Sequence, residues 1–354
     1  MAGTSVDGID ASLVLTDGER LERTGFHETF PMRPETRAAI FAAFEQPDPM
    51  DTHLARLVAE DHAAAAKSLI AQAGITPELI GFHGQTILHA PEAGRTIQIG
   101  DAQLLADTLG IDVIYDFRSR DMAEGGQGAP LAPVYHRAII DALGLRLPVA
   151  VVNIGGITNV TRWDGKTLSG FDTGPGNGLM DAAMRERTGR GFDEDGRIAR
   201  AGTPDDDWIR AALRHPFFTQ APPKSLDRKA LDAMFRPDAL NTSDLADALA
   251  TLTALTAESL AMGLMAIAPR PASVILAGGG AANPTLVNMI RQALPLEVTM
   301  MEDHGLDSSM IEAELMAFLA MRSRRGLPIS FPGTTGVARP ISGGRLARAT
   351  PSSA

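Results

Sequence analysis

Hydrophobic and polar positions along the chain fall into short blocks that switch between a two-residue and a 3.6-residue period. The stretch ASLVLTDGERLERTGFHETF, residues 11–30, reads as two strands around a turn at Asp17-Gly18. Residues 35–46 and 51–73 carry helical periodicity, the second run ended by Gly74. The apolar runs LIGFHG, TIQIGD and IDVIYDF read as strands, with a helix near 101–109 before the last. A helix near 131–144 leads into LPVAVVNIGG, whose unbroken apolar run suits a buried central strand. Beyond it the pattern predicts helices at 176–188, 205–214 and 243–267, and a second buried strand at SVILAGGG. Helices near 284–293 and 309–325 follow, then a loose polar tail, GGRLARATPSSA.

At 354 residues the chain has the length of about two domains, and its 44% hydrophobic and 21% charged content is that of a globular protein with a real core. The absence of cysteine excludes disulfides, thiolate metal sites and a cysteine nucleophile. A net charge of −11 with no cluster of Lys and Arg argues against nucleic acid and anionic membranes as partners. Anionic substrates would have to be met locally, by backbone amides, helix N-termini and a cation. The opening MAGTSVDGID has no basic and apolar leader pattern, and LAMGLMAIAP is short, ends at a proline and reads as a buried helix; a cytoplasmic location is expected.

Several motifs fail on inspection. DGKT at 164–167 lacks the upstream glycine of a phosphate-binding loop, since position 160 is Val160. GGGAAN from Gly278 has Asn283 where a dinucleotide fingerprint needs its third glycine. There is no G-x-S-x-G and no H-E-x-x-H, and lone histidines such as His83 and His89 read as packing residues. What remains is a set of glycines at the ends of apolar strands: Gly155-Gly156, Gly174 and Gly176, and Gly278-Gly279-Gly280. Together they suggest a nucleotide site. A weak repeat, GTSVDGIDASLVLTDG near the start and NIGGITNVTRWDG after residue 150, suggests two domains that each open with a hairpin around a glycine turn. Within GFDTGPGN, a strand runs straight into Asp172, which is either a turn-former or a catalytic carboxylate held at a strand end.

Read together, GTSVDGID (3–10), GFHGQTILH (81–89), TIQIGD (96–101), DFRSRDMAEGGQGAPLAP (116–133), NIGGITNVT (153–161), FDTGPGNGLMD (171–181), PPKS (222–225), ILAGGGAANP (275–284) and GLPISFPGTTG (326–336) are similar, in collinear order, to the 1,6-anhydro-N-acetylmuramic acid kinases of the sugar-kinase/Hsp70/actin superfamily. The resemblance implies an α/β fold of two actin- or hexokinase-like (ribonuclease H-like) domains around a central cleft. Residues 1–130, joined by 337–354, would form the first domain and 131–336 the second. It implies ATP and Mg²⁺ as cofactors, a homodimer, and 1,6-anhydro-N-acetylmuramic acid as substrate. The reaction would hydrolyse the anhydro bridge and phosphorylate O6, giving N-acetylmuramic acid 6-phosphate and ADP in cell-wall recycling. A simple sugar kinase acting on a free hydroxyl is the alternative.

Carried over by position, the resemblance makes Gly3, Thr4, Ser5, Val6, Asp7, Gly8, Ile9 and Asp10 a phosphate-binding turn, and Gly155, Gly156 and Asn159 a second one. Gly278, Gly279 and Gly280 match the adenosine-side loop, and Asp172 matches the general base. Glu312 matches an acid that contacts the sugar, although Ser309-Met310-Ile311-Glu312 also spells a capping box that needs no ligand. No protein metal ligand is assigned. The chain departs from the family where it starts inside the M-x-G-T-S motif, where PPKS runs into LDRKALD, and where Met316 replaces an aromatic.

Overall fold

A computed structural model describes residues 1–3, 6–226, 231, 233–235, 240 and 244–351. The chain divides into two compact units, Met1–Ala142 with Ser309–Ala354, and Leu143–Ser308. In the first, β1 (Ile9–Thr16) and β2 (Leu21–Phe30) form the antiparallel hairpin read from the sequence, with an irregularity between Ser12 and Val14. β3 (Ile80–Gly81), β4 (Gln85–Ala90), β5 (Arg95–Ile99) and β6 (Val113–Tyr115) follow. β3 lies parallel to β6, which pairs antiparallel with the C-terminal strand Arg345–Ala347, while β4 and β5 make a second hairpin. The polar tail is therefore partly ordered by a sheet edge.

Local chemistry explains where the helices begin and stop. Asp51 accepts the Leu54 amide at 2.8 Å to start the helix Thr52–Ala73, and Gly74 ends it at φ 64°. Asp101 and Gly110 do the same for the helix Ala102–Leu109.

The division differs from the sequence reading at both joints, because the helices Ala132–Leu143 and Ile311–Arg324 belong to the first unit. The helix Ile311–Arg324 packs along β1, β3 and β6, and a buried carboxylate on it ties both helices to β2. Glu314 is almost wholly enclosed and is closed on one side by Arg23 of β2, with Nε–Oε1 and Nη2–Oε2 both 2.9 Å. On the other side the Tyr135 hydroxyl donates to Oε2. An ion taken out of water needs such a full set of partners, so the carboxylate holds both helices to β2. Burial and the neighbouring Glu314 charge push the Tyr135 hydroxyl far up, so it stays a donor.

The second unit is built on a five-stranded mixed sheet. It comprises β7 (Val149–Ile154), β8 (Ile157–Trp163), β9 (Leu168–Pro175), β10 (Ser273–Ala277) and β11 (Glu297–Met300), in the order β11-β10-β7-β8-β9. β10 is parallel to β7 and β11, whereas β8 runs antiparallel to both its neighbours. Ala150, Val151 and Val152 are fully buried, as the apolar run predicts for a central strand. The 22-residue helix Leu245–Ala266 is long and apolar enough to cross a membrane by length and composition, at a mean hydropathy of 1.4. Unlike the short run seen in the sequence, it includes Thr251, Thr253 and Thr256. Leu249, Leu255, Leu260 and Leu264 are all buried in the unit's core, and 78% of the apolar window is buried, which marks it as a core helix.

This helix approaches the backbone closely at Gly202, where an added Cβ would stand 2.0 Å from the Ala246 carbonyl oxygen. Gly202 has φ −91°, which alanine adopts freely, so the obstacle is steric alone. Gly202→Ala is expected to lower stability by about 1–3 kcal/mol, as overpacking does. Urea unfolding would show this as a lower midpoint at unchanged slope.

Candidate active site

The glycine-rich strand ends of the second unit meet at one place. Gly155 and Gly156 turn β7 into β8, and the chain leaving β9 docks on this turn through its own backbone. The Gly176 amide donates to Gly156 O at 3.1 Å, that of Asn177 to Gly155 O at 2.7 Å and that of Gly178 to Gly156 O at 3.2 Å. A Cβ at Gly176 would stand 2.2 Å from Gly155 O, so the approach requires glycine. From the other side comes Gly278, at φ 83°, where a Cβ would meet Asn153 Oδ1 at 2.5 Å. At Gly280 it would meet Ile154 Cγ2 at 2.2 Å. Gly155, Gly156, Gly278, Gly279 and Gly280 therefore surround the end of β7, and the helix Gly178–Thr188 begins beside them.

Strand register adds a polar row that the sequence did not reveal. Ala277 pairs with Asn153, Asn153 with Asn159, and Asn159 with Asp172, across β10, β7, β8 and β9. Directly paired residues share a sheet face. Asn159 thus stands between the glycine loops and Asp172.

Asp172 is clamped by PPKS and the residue that follows it. Its amide donates to Lys224 O at 2.9 Å, and its Oδ2 accepts the Leu226 amide at 2.7 Å. Lys224 is itself fixed, with Nζ donating to Phe217 O at 2.9 Å and lying 4.4 Å from the centre of the Phe217 ring. Burial pushes the Asp172 carboxyl up to about 6, and the Leu226 amide and Lys224 charge only partly offset that. A carboxylate with that proton affinity, oriented by a hydrogen bond, is equipped to act as a general base near neutral pH. PPKS was legible as a motif; its role as the clamp on Asp172 was not.

In the first unit, Thr4 and Ser5 lie outside the described residues. Around them, the Val6 amide donates to Gly3 O at 3.2 Å, and Val6 holds φ 54°, an unfavourable conformation for a β-branched side chain. Gly3 O also accepts from Gln85 Nε2 at 3.2 Å. Asp7 is exposed, and Gly8 packs so closely that a Cβ would stand 2.7 Å from Thr29 Cγ2. Ile9 is buried. Asp10 exchanges backbone hydrogen bonds with Met1 at 2.7 and 2.8 Å, and its Oδ1 accepts from Thr29 Oγ1 at 2.6 Å.

Glu312 does not form the capping box. A 3₁₀ turn at Ser308–Met310 leads into the helix, so Met310 occupies the cap position without a side-chain bond and Glu312 falls one place too early. The side chain reaches solvent among charged neighbours. Desolvation and then Asp10 raise its pKa, opposed by Arg118 and the N-terminal ammonium. Arg118 donates from Nε to His83 Nε2 at 3.1 Å and from Nη1 to Gly128 O at 2.7 Å. His83 must therefore carry its proton on Nδ1, which faces Gly84 O at 3.0 Å. Burial, with Arg118 adding to it, holds His83 down at about 3, so it is neutral. The sequence reading of His83 as a packing residue missed this role, and Arg118 was not singled out at all.

Comparison with known proteins places these features in context. The family model for anhydro-N-acetylmuramic acid kinase matches residues 1–349. An anhydro-N-acetylmuramic acid kinase of Rhodopseudomonas palustris (strain HaA2) is 44% identical over 362 residues, covering 98% of both chains. One from Phenylobacterium zucineum is also 44% identical, covering 98% of this chain and 97% of its own. A distant likeness, at 14% identity and a TM-score of 0.40, extends to a ROK family glucokinase from Streptomyces griseus solved with glucose and AMPPNP, over 91% of this chain and 97% of that one. The match over nearly the whole length shows that the chain belongs to the anhydro-N-acetylmuramic acid kinase family.

Proposed function

We propose that the chain opens the 1,6-anhydro bridge of 1,6-anhydro-N-acetylmuramic acid and transfers the γ-phosphoryl group of ATP to O6, giving N-acetylmuramic acid 6-phosphate and ADP. The observation that carries this reading is Asp172: a clamped carboxylate of raised proton affinity within β9, in register with Asn159. Asp172 takes a proton from water as the water oxygen attacks C1 and the bond from C1 to the bridge oxygen breaks. That oxygen stays on C6 and attacks the γ-phosphorus, displacing ADP. Its developing charge passes to phosphate, so no separate acid is needed at the leaving oxygen, and attack from the opposite face inverts C1. Phosphoryl transfer asks the protein mainly for positioning and charge stabilisation, which backbone amides at glycine turns supply.

The donor set fits Mg²⁺. Glu312 and Asp10 lie close enough for the Asp10 charge to raise the Glu312 pKa, and no group of three His, Asp or Glu ligands occurs among the described residues. A hard cation that takes most of its ligands from phosphate and water suits such a site, with Asp10 as the protein carboxylate. When bound it would neutralise phosphate charge. The resemblance to the family supports a homodimer at work in the cytoplasm.

The direct test is ADP release with ATP, Mg²⁺ and the anhydro sugar. Turnover should require the anhydro sugar, and N-acetylmuramic acid should not replace it; turnover with the ordinary sugar alone would point to a simple kinase.

Asp172→Asn should lose about 10²-fold or more of kcat with nucleotide binding intact. In the wild type, activity should fall as pH drops through about 6, where Asp172 gains its proton. Stability should move the other way. The unfolded carboxyl titrates near 3.8 and the folded one near 6, so ionisation costs the native state increasingly across that window. Asp172→Asn should therefore gain stability relative to wild type as pH rises from 4 to 7, read by thermal melts.

Gly278→Ala would force a side chain to φ 83° and against Asn153 and Ile154. It should weaken nucleotide binding by about tenfold or more, the loss expected when a strained loop costs more than about 1.4 kcal/mol. Titration with a fluorescent ATP analogue would measure it.

A further inference from the structure

Arg118 is a cation held in place by neutral groups. Its Nε bonds His83 and its Nη1 bonds the Gly128 carbonyl, two partners that fix the plane of the guanidinium without neutralising it. Arg23 and Arg33 of this unit are instead paired with carboxylates, the first with Glu314 and the second with Glu35, Glu60 and Asp61, while Arg322 is also held by carbonyls, those of Pro328 and Gly18, but is itself buried. Among the described residues no carboxylate makes an ion pair with Arg118. Asp121 is nearby, but its carboxylate is occupied by the Gly128 amide at 2.6 Å and Thr335 Oγ1 at 2.7 Å. Glu312 acts on Arg118 through its charge, at longer range than a contact.

Burial brings Arg118 down to about 10, opposed by the charges of Glu312 and Asp121, and it stays protonated at neutral pH. The residue as a whole is half-buried. An oriented guanidinium fork without an ion-pair partner among the described residues is an arrangement that binds a carboxylate through two parallel hydrogen bonds. The substrate of the reaction above carries one such group, the lactyl carboxylate that distinguishes muramic acid from glucosamine.

On that reading of the function, we propose that Arg118, anchored by His83 and Gly128, binds the lactyl carboxylate of the sugar and selects for it. The two anchors belong to the loops at 83–84 and 126–130; Gln85, beside the first, also bonds Gly3 O of the phosphate-binding turn, so ADP is the control that separates the sugar's anion from a phosphate.

The experiment compares calorimetric binding of 1,6-anhydro-N-acetylmuramic acid, its neutral lactyl methylamide and ADP to the wild type, Arg118→Gln and Arg118→Lys. Losing the charge-assisted pair should weaken binding of the acid to Arg118→Gln about 10- to 150-fold. The methylamide should bind wild type and Arg118→Gln equally, and ADP should be unaffected. Arg118→Lys, which keeps the charge but not the fork, should fall between them. Equal losses for acid and methylamide would make Arg118 a strut between two loops and overturn the proposal. A loss confined to ADP would overturn it in favour of the nucleotide phosphates. A wild type that turns over acid and methylamide equally well sinks the selectivity alone, whereas one that turns over neither sinks the kinase reading itself.

Discussion

The second unit depends on a backbone-to-backbone contact: the amides of Gly176, Asn177 and Gly178 seated on the carbonyls of Gly155 and Gly156. Side chains have no part in it, and a single Cβ at Gly176 would prevent it. The contact draws the end of β9 against the turn between β7 and β8, starts the helix Gly178–Thr188, and leaves room for Gly278 and Gly280 on the far side of β7. Asp172 lies four residues before Gly176 on the strand so fixed, and the Lys224–Leu226 clamp sets its side chain. Position comes from the glycines and proton affinity from burial.

A chain with a net charge of −11 that handles a nucleotide and an acidic sugar cannot rely on its overall field. It works through local groups. Amides at glycine turns provide donors that carry no formal charge, and Arg118 provides one oriented cation whose anchors, His83 and the Gly128 carbonyl, are both neutral. The neutrality of His83 matters here, because a charged imidazole could not accept from Arg118 Nε. Some other charges in the first unit are tied up structurally. Glu314 illustrates this: with Arg23 and Tyr135 around it, it ties two helices to β2.

Glycine and carboxylate positions divide naturally by how local their causes are. The caps at Asp51 and Gly74 and the central strand at 149–154 could be read directly, since each rests on a few neighbouring residues. The Ser309–Glu312 capping box was equally local in pattern yet failed, because the chain enters that helix through a 3₁₀ turn and shifts its first residue. Unit boundaries also escaped the pattern, as the buried Glu314 links residues far apart in sequence.

By itself, then, the sequence determined the α/β class, most element positions, the glycine-rich strand ends and, through its collinear motifs, the family and the candidate base Asp172. Those features are written in residue types and short spacings. Only the tertiary structure decided that Asn153, Asn159 and Asp172 form one row, since register is a property of paired strands. It alone showed that PPKS leads into the clamp on Asp172 and that Arg118 stands on a neutral histidine without an ion-pair partner among the described residues. Proton affinity and charge compensation depend on what surrounds a group in space, and neighbours in space are what a linear pattern does not carry.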